Sequence, residues 1–349
     1  MAEVKPFRAV RYGERAGSLD TLVAPPYDVI SPAQRDELAA RNEHNVVHLT
    51  LPDDEATAGA TWRAWREDGT LTEDAEPGYW WLSQDYVGPD GVARTREGLV
   101  AALKAEPYEN RVVLPHERTH RGPKEGRLRL LREVRAQLEP LFFLYEGAPP
   151  ARRPEREPDL EVEGALLWRV PPEGIAEAFA DRQLLIADGH HRYETALAYG
   201  EDTDVLAVLV SLDDPGLMIF PTHRLFEHEP PERLAAEEVP GDARQALDGV
   251  PADRAAAVVY RNGGFGLAVD GNELDVRLVD RLGHEGISYT ADWDEAVRAV
   301  DSGAAEVAVL MRPTRIEDVF AVAQRGETMP QKSTYFYPKL VSGLLFLPL

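Results

Sequence analysis

The sequence predicts a mixed α/β protein, and three segments support this. Residues 184–187 form an unbroken apolar run, typical of a buried strand, and apolar residues then recur at helical spacing from residue 190 to Gly200. Residues 255–260 and 265–269 flank an Arg-Asn-Gly-Gly turn, which is a strong hairpin signal. Residues 287–324 show strand, helix, strand and helix patterns in turn. Together they indicate the α/β (mixed α+β) class.

A chain of 349 residues can bury a large core, and its length suggests two or three structural units. The acidic, proline-interrupted stretch at residues 227–240 is the best boundary. We expect a first domain at residues 1–230, with an inserted hairpin and helix region at about residues 57–150. A smaller C-terminal α/β domain at residues 231–349 should follow, with its end packed back on the first.

Composition limits the functions that the chain can have. Hydrophobic residues make up 44% and charged residues 28%, as in soluble globular proteins. No apolar run approaches the roughly 20 residues of a membrane span, and the first residues lack a signal-peptide pattern, so we expect a cytoplasmic protein without a membrane partner. The absence of cysteine excludes disulfides, thiolate metal sites and cysteine nucleophiles. The net charge of −23 makes nucleic acid an unfavourable partner. A small anionic ligand and an oligomer remain open.

Capping signals locate two further helices. Ser31 can serve as N-cap of a helix with Pro32 at its first position and Gln34 closing a capping box. Thr314 and Glu317 predict a second capping box before residues 316–324. The other predicted elements are strands at residues 6–12, 79–87, 91–103, 141–145, 205–212 and 306–311, and helices at residues 57–68, 124–138 and 292–300.

The stretch from Asp188 to Arg192 is the strongest candidate site. Asp188 and Gly189 form a turn, and the first turn of the following helix presents backbone N–H groups and the positive end of the helix dipole, which favour anions. Arg192 could grip a phosphate or a carboxylate with two charge-assisted hydrogen bonds. A structural turn followed by a solvated arginine is the alternative, and the local pattern leaves both open.

Two rigid loops supply carboxylates and a histidine. Asp28 follows a double proline that fixes its presentation, and it either belongs to a structural elbow or faces the anion site. His116 and Glu117 are candidates for general acid and base work. With His120 they match the H-E-x-x-H zinc pattern, but Pro115 before them and a Gly-Pro pair after them argue against the helix that this motif requires.

Two further groups are weaker candidates. Thr222, His223 and Arg224 follow a predicted strand region, where ligands of α/β sheets tend to bind. Lys332 and Ser333 belong to a polar and aromatic C-terminal segment that is too dense for a free tail. We expect this segment to fold back so that both residues reach an anion.

Four sequence boxes are distinctive: Pro-Pro-Tyr-Asp-Val-Ile-Ser from residue 25, Pro-His-Glu-x-Thr from residue 115, Asp-Gly-His-His-Arg-Tyr-Glu-Thr-Ala from residue 188, and Gln-Lys-Ser-Thr-Tyr-Phe-Tyr-Pro-Lys from residue 331. In these boxes the chain resembles domain-of-unknown-function family 1015, and the resemblance covers nearly the whole chain. The core Asp-Gly-His-x-Arg is also similar to the phosphate-binding box of the ParB/sulfiredoxin-like fold, which includes free-serine kinases. Sulfiredoxin chemistry needs a cysteine where His190 stands, and it is therefore excluded.

The resemblance implies a ParB/sulfiredoxin-like nucleotide-binding core with insertions and a phosphotransferase-like activity, such as a kinase of a small, hydroxylated, serine-like metabolite. The expected donor is ATP, ADP or pyrophosphate with magnesium. The binding residues would be Gly189, His190, His191, Arg192, His116, His223, Arg224, Lys332 and Ser333. The catalytic candidates are Asp188, His190, Glu117 and Asp28, with Asp28 and Asp188 as magnesium candidates.

Two alternatives belong to other classes of protein. A nucleotide-binding regulatory protein of ParB type would need a basic DNA-binding segment, and only the basic helix at residues 124–138 offers one. A protein that binds a metabolite without chemistry is the other alternative.

Overall fold

The computed structural model describes residues 1–117, 121–162 and 164–349, and it describes side chains from residue 125 onward in the helix that begins at Arg121. His120, the second histidine of the H-E-x-x-H pattern, lies outside the described residues.

The α-helices vary from one turn to four. In chain order they are α1 (Leu19–Leu22), α2 (Pro32–Arg41), α3 (Val47–Thr50), α4 (Glu55–Glu67), α5 (Arg121–Val134), α6 (Ile175–Phe179), α7 (His190–Tyr199), α8 (Ala243–Asp248), α9 (Asp275–Asp280), α10 (Trp293–Asp301) and α11 (Ile316–Gln324). Short 3₁₀ turns occur at Glu14–Ala16, Tyr27–Val29 and Tyr108–Asn110.

The strands divide at the middle of the chain. Those of the first part are β1 (Val4–Lys5), β2 (Val10–Tyr12), β3 (Leu71–Glu73), β4 (Tyr79–Val87), β5 (Ala93–Lys104), β6 (Val113–Leu114), β7 (Ala136–Gln137), β8 (Leu141–Tyr145), β9 (Leu160–Val162), β10 (Ala165–Val170), β11 (Leu184–Asp188) and β12 (Asp204–Ser211). Those of the second part are β13 (Met218–Phe220), β14 (His223–Phe226), β15 (Ala236–Glu238), β16 (Ala255–Arg261), β17 (Gly264–Asp270), β18 (Ile287–Thr290), β19 (Val307–Leu310), β20 (Tyr335–Tyr337) and β21 (Leu347–Pro348).

A large mixed sheet forms the centre of the molecule. Its strand order is β6-β11-β8-β12-β5-β4-β10-β9, with β1 also paired to β5. The pairs β6 with β11 and β8 with β12 are parallel, and the other pairs are antiparallel. The predicted mixed α/β class is thereby confirmed.

Both faces of the large sheet are covered, which explains the continuous apolar runs of its central strands. In β11, Leu184 and Ile186 pack on the face that carries α6 and α7. Leu185 and Ala187 belong to the core on the opposite face. The alternation follows from the two-residue period of a strand.

A smaller sheet has the strand order β15-β17-β16-β19-β14-β18. The predicted turn at residues 261–264 joins β16 to β17 with Arg261 paired to Gly264. Strand β14 belongs to this sheet, whereas β13, just before it, pairs with β20 of the C-terminal segment. Strands β4 and β5, from the expected insertion, lie within the large sheet. The division at residue 230 stays a prediction.

Several local predictions are confirmed. Ser31 caps α2, and its side chain and that of Gln34 form both hydrogen bonds of the capping box. The predicted helix at residues 57–68 corresponds to α4, whose Trp62 and Trp65 are buried. The strands predicted at residues 79–87 and 141–145 have those bounds.

Two predictions at helix ends were wrong. The Thr314 hydroxyl donates to the carbonyl oxygen of Ser333 at 2.6 Å instead of capping α11, which has Arg315 as an N-cap without a side-chain hydrogen bond. Helix α5 ends at Val134 and not at residue 138, because Arg135 takes a left-handed conformation with φ of 57° and the chain turns into β7. Leu138 is still buried, so it satisfied the apolar pattern without being helical.

The C-terminal segment, residues 328–349, packs against the large sheet and contributes Phe336, Leu340, Leu344 and Leu347 to its core. Among the described residues, no helix combines the length and the apolar character needed to cross a bilayer.

Candidate functional site

Two parallel strands bring the main sequence boxes together. Strands β6 and β11 are neighbours, with Val113 paired to Leu184 and Leu114 to Leu185. Because parallel strands end at the same edge of a sheet, the His116 loop after β6 and the first turn of α7 after β11 come side by side. His116 and His190 meet there, with ring centroids 4.7 Å apart.

A cleft of about 910 Å³ opens at this edge. Its walls come from the α7 turn, the Tyr27–Val29 turn, the start of α10 and the C-terminal segment. Nine predicted site residues line it: Asp28, Glu117, Asp188, Gly189, His190, His191, Arg192, Thr222 and Lys332. The volume is within the range of small-ligand sites in proteins.

The turn before α7 requires glycine. Gly189 has φ of +99°, and a Cβ atom there would lie 3.0 Å from Cγ of Leu141 and 3.3 Å from Nη2 of Arg192. Gly189 is the N-cap and has no side chain with which to cap the helix. The first backbone N–H groups of α7, which lack acceptors within the helix, are therefore not capped by their own N-cap residue.

Asp188 lies between two cations. Nη2 of Arg192 donates to Oδ2 of Asp188 at 3.0 Å, and Nζ of Lys339 donates to Oδ1. Burial alone would raise the pKa of Asp188, but Lys339 and Arg192 reverse this and hold the pKa below its usual value. Nη1 of Arg192 donates to the carbonyl oxygen of Pro140 at 2.6 Å. The guanidinium expected to grip a phosphate thus already binds groups of the protein.

His116 and His190 form a neutral pair. His116 is completely buried; its Nδ1 bonds to the carbonyl oxygen of Ile186 at 2.7 Å, and its Nε2 contacts Oγ1 of Thr334 at 3.0 Å. Its backbone N–H donates to Nε2 of His190 at 3.4 Å. Burial lowers the pKa of His116 to about 4. Burial and the nearby His116 hold the pKa of His190 well below the usual value.

The pKa of Glu117 is shifted upward, whereas the pKa values of the two histidines are lowered. Burial raises its pKa to about 7, although Lys332 next to it acts in the other direction. Backbone pairing to Met329 ties the Glu117 loop to the C-terminal segment. A carboxyl group that titrates near neutral pH on the wall of a cleft has the property required of a general base.

A second wall of the cleft is polar and acidic. It is formed by Ser288, Tyr289, Thr290, Asp292 and Glu295 from the end of β18 and the start of α10. Asp292 caps α10 by accepting from the backbone N–H of Glu295 at 2.8 Å, and the Thr290 hydroxyl donates to the Glu295 carboxylate.

Tyr27 and Asp28 form one rim of the cleft. The guanidinium of Arg127 lies 3.4 Å from the centroid of the Tyr27 ring, and the backbone N–H of Tyr27 donates to Glu139 at 2.9 Å. These contacts fix the turn. Asp28 is exposed and lines the cleft, which agrees with the second of the two alternatives for this residue, a position facing the site.

Four predicted site residues do not line the cleft: the buried His116, whose contacts are given above, and three residues further along the chain. His223 is buried, accepts from the backbone N–H of Met311 at 3.0 Å through Nδ1, and has a pKa lowered by burial to about 4. Arg224 is buried in β14. Ser333 is buried and donates its hydroxyl to the carbonyl oxygen of Pro330 at 2.5 Å. These three residues start a strand or close a local turn, and in this structure none of them is placed to touch a ligand in the cleft.

Sequence reasoning missed Lys339 and Thr334 as individual site residues. Both belong to the C-terminal box from residue 331, and that box was the available signal. The Tyr289 to Glu295 wall carried no local signal, because only the tertiary fold brings the start of α10 to α7.

No group of three or more His, Asp or Glu side chains that could hold a metal ion occurs among the residues that the structure describes. Of the two magnesium candidates, Asp188 already accepts from two cations, whereas Asp28 is exposed at the rim.

The fold and the site define a mixed α/β protein with a polar, ligand-sized cleft at the amino-terminal end of a central helix. The chain belongs to the family described as "Protein of unknown function (DUF1015)", which matches residues 4–301. No curated protein matches the chain.

Solved structures similar to this chain include three of different description. A free serine kinase in complex with AMP is 17% identical, with a TM-score of 0.44, over 67% of this chain and 88% of that one. A conserved hypothetical protein from Pyrococcus furiosus is 16% identical, with a TM-score of 0.40, over 66% and 89%. C-terminally truncated SbnI from Staphylococcus aureus is 12% identical, with a TM-score of 0.44, over 72% and 87%.

Proposed function

We propose that the cleft binds a phosphate-bearing small molecule, such as a nucleotide or pyrophosphate, and transfers a phosphoryl group to the hydroxyl of a small metabolite. The observation that carries the proposal is that one cleft contains the first turn of α7, the cations Lys332 and Lys339, and the carboxyl group of Glu117.

The phosphate would bind at the first turn of α7. Backbone N–H groups at a helix start and the helix dipole favour an anion. His190 is neutral and accepts from His116 through Nε2, so its proton is on Nδ1 and its ring can donate one hydrogen bond. Lys332 is exposed on the cleft wall and can reach the ligand. Phosphoryl transfer mainly requires such positioning and positive charge.

Glu117 would accept the proton of the attacking hydroxyl. The O–H bond of the acceptor breaks as its oxygen bonds to phosphorus, the proton passes to the carboxylate, and the bond from phosphorus to the leaving group breaks. A base with a pKa of about 7 is partly ionised at neutral pH and still basic enough to take the proton.

Magnesium does not fit Asp188 in this structure, because Arg192 and Lys339 already neutralise its carboxylate. Arg192 contributes mainly by fixing Asp188 and the turn. We therefore assign no step to a metal ion.

Lys332→Gln tests the binding site directly, because it removes one charge of the cleft and keeps the length of the side chain. We expect isothermal titration calorimetry to show at least tenfold weaker binding of ATP, ADP or pyrophosphate, while the melting temperature stays within about 2 °C. Lys104→Gln is the matched control, since Lys104 pairs with Asp202 at the end of β5, away from the cleft.

Phosphoryl transfer is measured with ³¹P NMR in the presence of a panel of hydroxylated metabolites. Equal affinity in wild type and Lys332→Gln would contradict the site. Tight binding without transfer to any member of the panel would favour the metabolite-binding protein without chemistry.

A further inference from the structure

The Thr334 hydroxyl donates its hydrogen bond to a buried histidine of the protein, His116. Nδ1 of His116 lies 2.7 Å from the carbonyl oxygen of Ile186, and a carbonyl only accepts, so Nδ1 carries the proton. In a neutral imidazole the other nitrogen is then an acceptor. Nε2 of His116 lies 3.0 Å from Oγ1 of Thr334 and therefore accepts from the Thr334 hydroxyl.

The neutral state of His116 follows from its surroundings. The ring has no exposed surface and packs edge-on against His190 and Phe336. No carboxylate accepts from either of its described nitrogens, whose partners are the Ile186 carbonyl and the Thr334 hydroxyl. Burial lowers the pKa of His116 to about 4, so the charged form is absent at neutral pH.

Thr334 lines the cleft, and its only hydroxyl hydrogen points to His116. What Oγ1 can offer to a bound molecule is its lone pairs. A phosphate oxygen at this point would meet a second acceptor without a hydrogen between them, whereas an O–H or N–H group would find a partner.

We propose that Thr334 is a specificity residue that accepts a hydrogen bond from the phosphoryl acceptor and disfavours an oxyanion beside it. The acceptor would be an alcohol that carries a second donor, either a neighbouring hydroxyl or an ammonium group, since the reacting hydroxyl gives its own proton to Glu117. The role as acceptor site rests on the proposed function, whereas the direction of the hydrogen bond rests on the His116 contacts alone.

The position of Thr334 suits this role. His116 bonds through Nε2 to Thr334 and through its backbone N–H to His190 at the start of α7. The buried His116 therefore sets the spacing between the Thr334 hydroxyl and the proposed phosphate site.

Thr334→Val and Thr334→Ser distinguish the two directions of hydrogen bonding. With pyrophosphate as the probe, we expect affinity within twofold of wild type for Val, because the hydroxyl gives nothing to the anion. A tenfold loss in Val that Ser restores would show that Thr334 donates to phosphate and would overturn the proposal.

Matched alcohols test the second donor. With ATP as donor, we expect wild type to favour ethylene glycol over 2-methoxyethanol, and ethanolamine over choline, by at least tenfold in kcat/KM for one of the pairs. A preference in the first pair would identify the second donor as a hydroxyl, and a preference in the second pair would identify it as an ammonium group. Thr334→Val should lose this preference and Thr334→Ser should keep it; equal use of both members of each pair by wild type would overturn the proposal.

The tautomer of His116 gives a readout that is independent of activity. Long-range ¹⁵N–¹H correlation spectra of histidine-labelled protein should show a protonated Nδ1 and a bare Nε2. A proton on Nε2 would overturn the inference even in an active enzyme. If wild type neither binds pyrophosphate nor transfers phosphate, the proposed function fails, and NMR titration with the same alcohol pairs then decides the role of Thr334.

Discussion

At the scale of single residues, Arg192 is a charged side chain whose role is mainly structural. Sequence pattern suggested a guanidinium free to bind phosphate, but its side chain is only 10% exposed and donates to Pro140 and Asp188. A buried ion pair that loses one partner leaves an uncompensated charge, which costs about 3–5 kcal/mol. An alanine at residue 192 would therefore confound folding with binding, and Lys332 is the better probe.

Glu117 gives a prediction with a defined pH window. Burial raises the pKa of this carboxyl from 4.5 to about 7, so the folded protein keeps a proton that the unfolded chain releases in this range. The free energy of unfolding therefore falls as pH rises from about 4.5 to 7. Glu117→Gln has no carboxyl group to ionise and therefore does not lose stability in this range. We expect it to be about 1–2 kcal/mol more stable than wild type at pH 8, which corresponds to a melting temperature about 2–4 °C higher. Near pH 4.5 the two proteins should be equally stable.

The same variant should lose phosphoryl transfer by about 10²–10⁴-fold, because an amide cannot accept the proton. Melting curves from pH 4.5 to 8 and a transfer assay measure the two effects. Glu109→Gln, at an exposed position outside the cleft, is the control. A constant difference in melting temperature across the pH range would show that the Glu117 carboxyl has an ordinary pKa.

At the scale of elements, strand β11, Gly189 and helix α7 were predictable because their signals are local. The apolar run, the glycine and the helical spacing lie within 17 consecutive residues, Leu184 to Gly200. The end of α5 was not predictable in the same way, since Leu138 continues its apolar stripe from within another element. The capping box at Thr314 failed because the Ser333 carbonyl, 19 residues away, takes that hydroxyl.

Gly189→Ala tests the turn between β11 and α7. The backbone has φ of +99°, which a residue with a side chain rarely adopts, and the new Cβ would lie 3.0 Å from the Leu141 side chain. We expect a loss of about 1–3 kcal/mol in the free energy of unfolding, measured by chemical denaturation. Gly263→Ala is a useful comparison, because φ there is +75° but no atom lies within 4 Å of its Cβ. If both variants lose the same amount, backbone strain alone explains the effect, without the close contact.

At the scale of the whole molecule, the cleft depends on contacts between distant parts of the chain. Thr334 and Lys339 reach His116 and Asp188 only because the C-terminal segment folds back on the large sheet. The sequence identified that segment as ordered and related to the site from its composition. It could not indicate which of its side chains point inward, because the contacts span 218 and 151 residues.

Arg96 is a buried polar link between the large sheet and this segment. It is 1% exposed, and its Nη2 donates to Gln84 at 2.6 Å and to the carbonyl oxygen of Pro338, 242 residues away, at 2.7 Å. Its guanidinium lies 4.5 Å from the centroid of the Phe142 ring. Burial lowers the pKa of Arg96 to about 10, which still leaves it charged at neutral pH. The residue preceding Lys339 is therefore held by a cation from the centre of the sheet.

Arg96→Met keeps the apolar part of this side chain and removes its hydrogen bonds. Loss of a charged bond usually costs about 1.5–3 kcal/mol, but burial of a cation without a carboxylate also carries a desolvation cost that methionine avoids. We therefore expect a modest change in melting temperature together with faster amide hydrogen exchange in residues 335–345 and at least fivefold weaker binding of pyrophosphate. Arg66→Met, at a surface ion pair with Glu73, should change neither the hydrogen exchange of residues 335–345 nor the binding of pyrophosphate. Unchanged exchange in the C-terminal segment of Arg96→Met would show that its apolar residues alone hold Lys339 at Asp188.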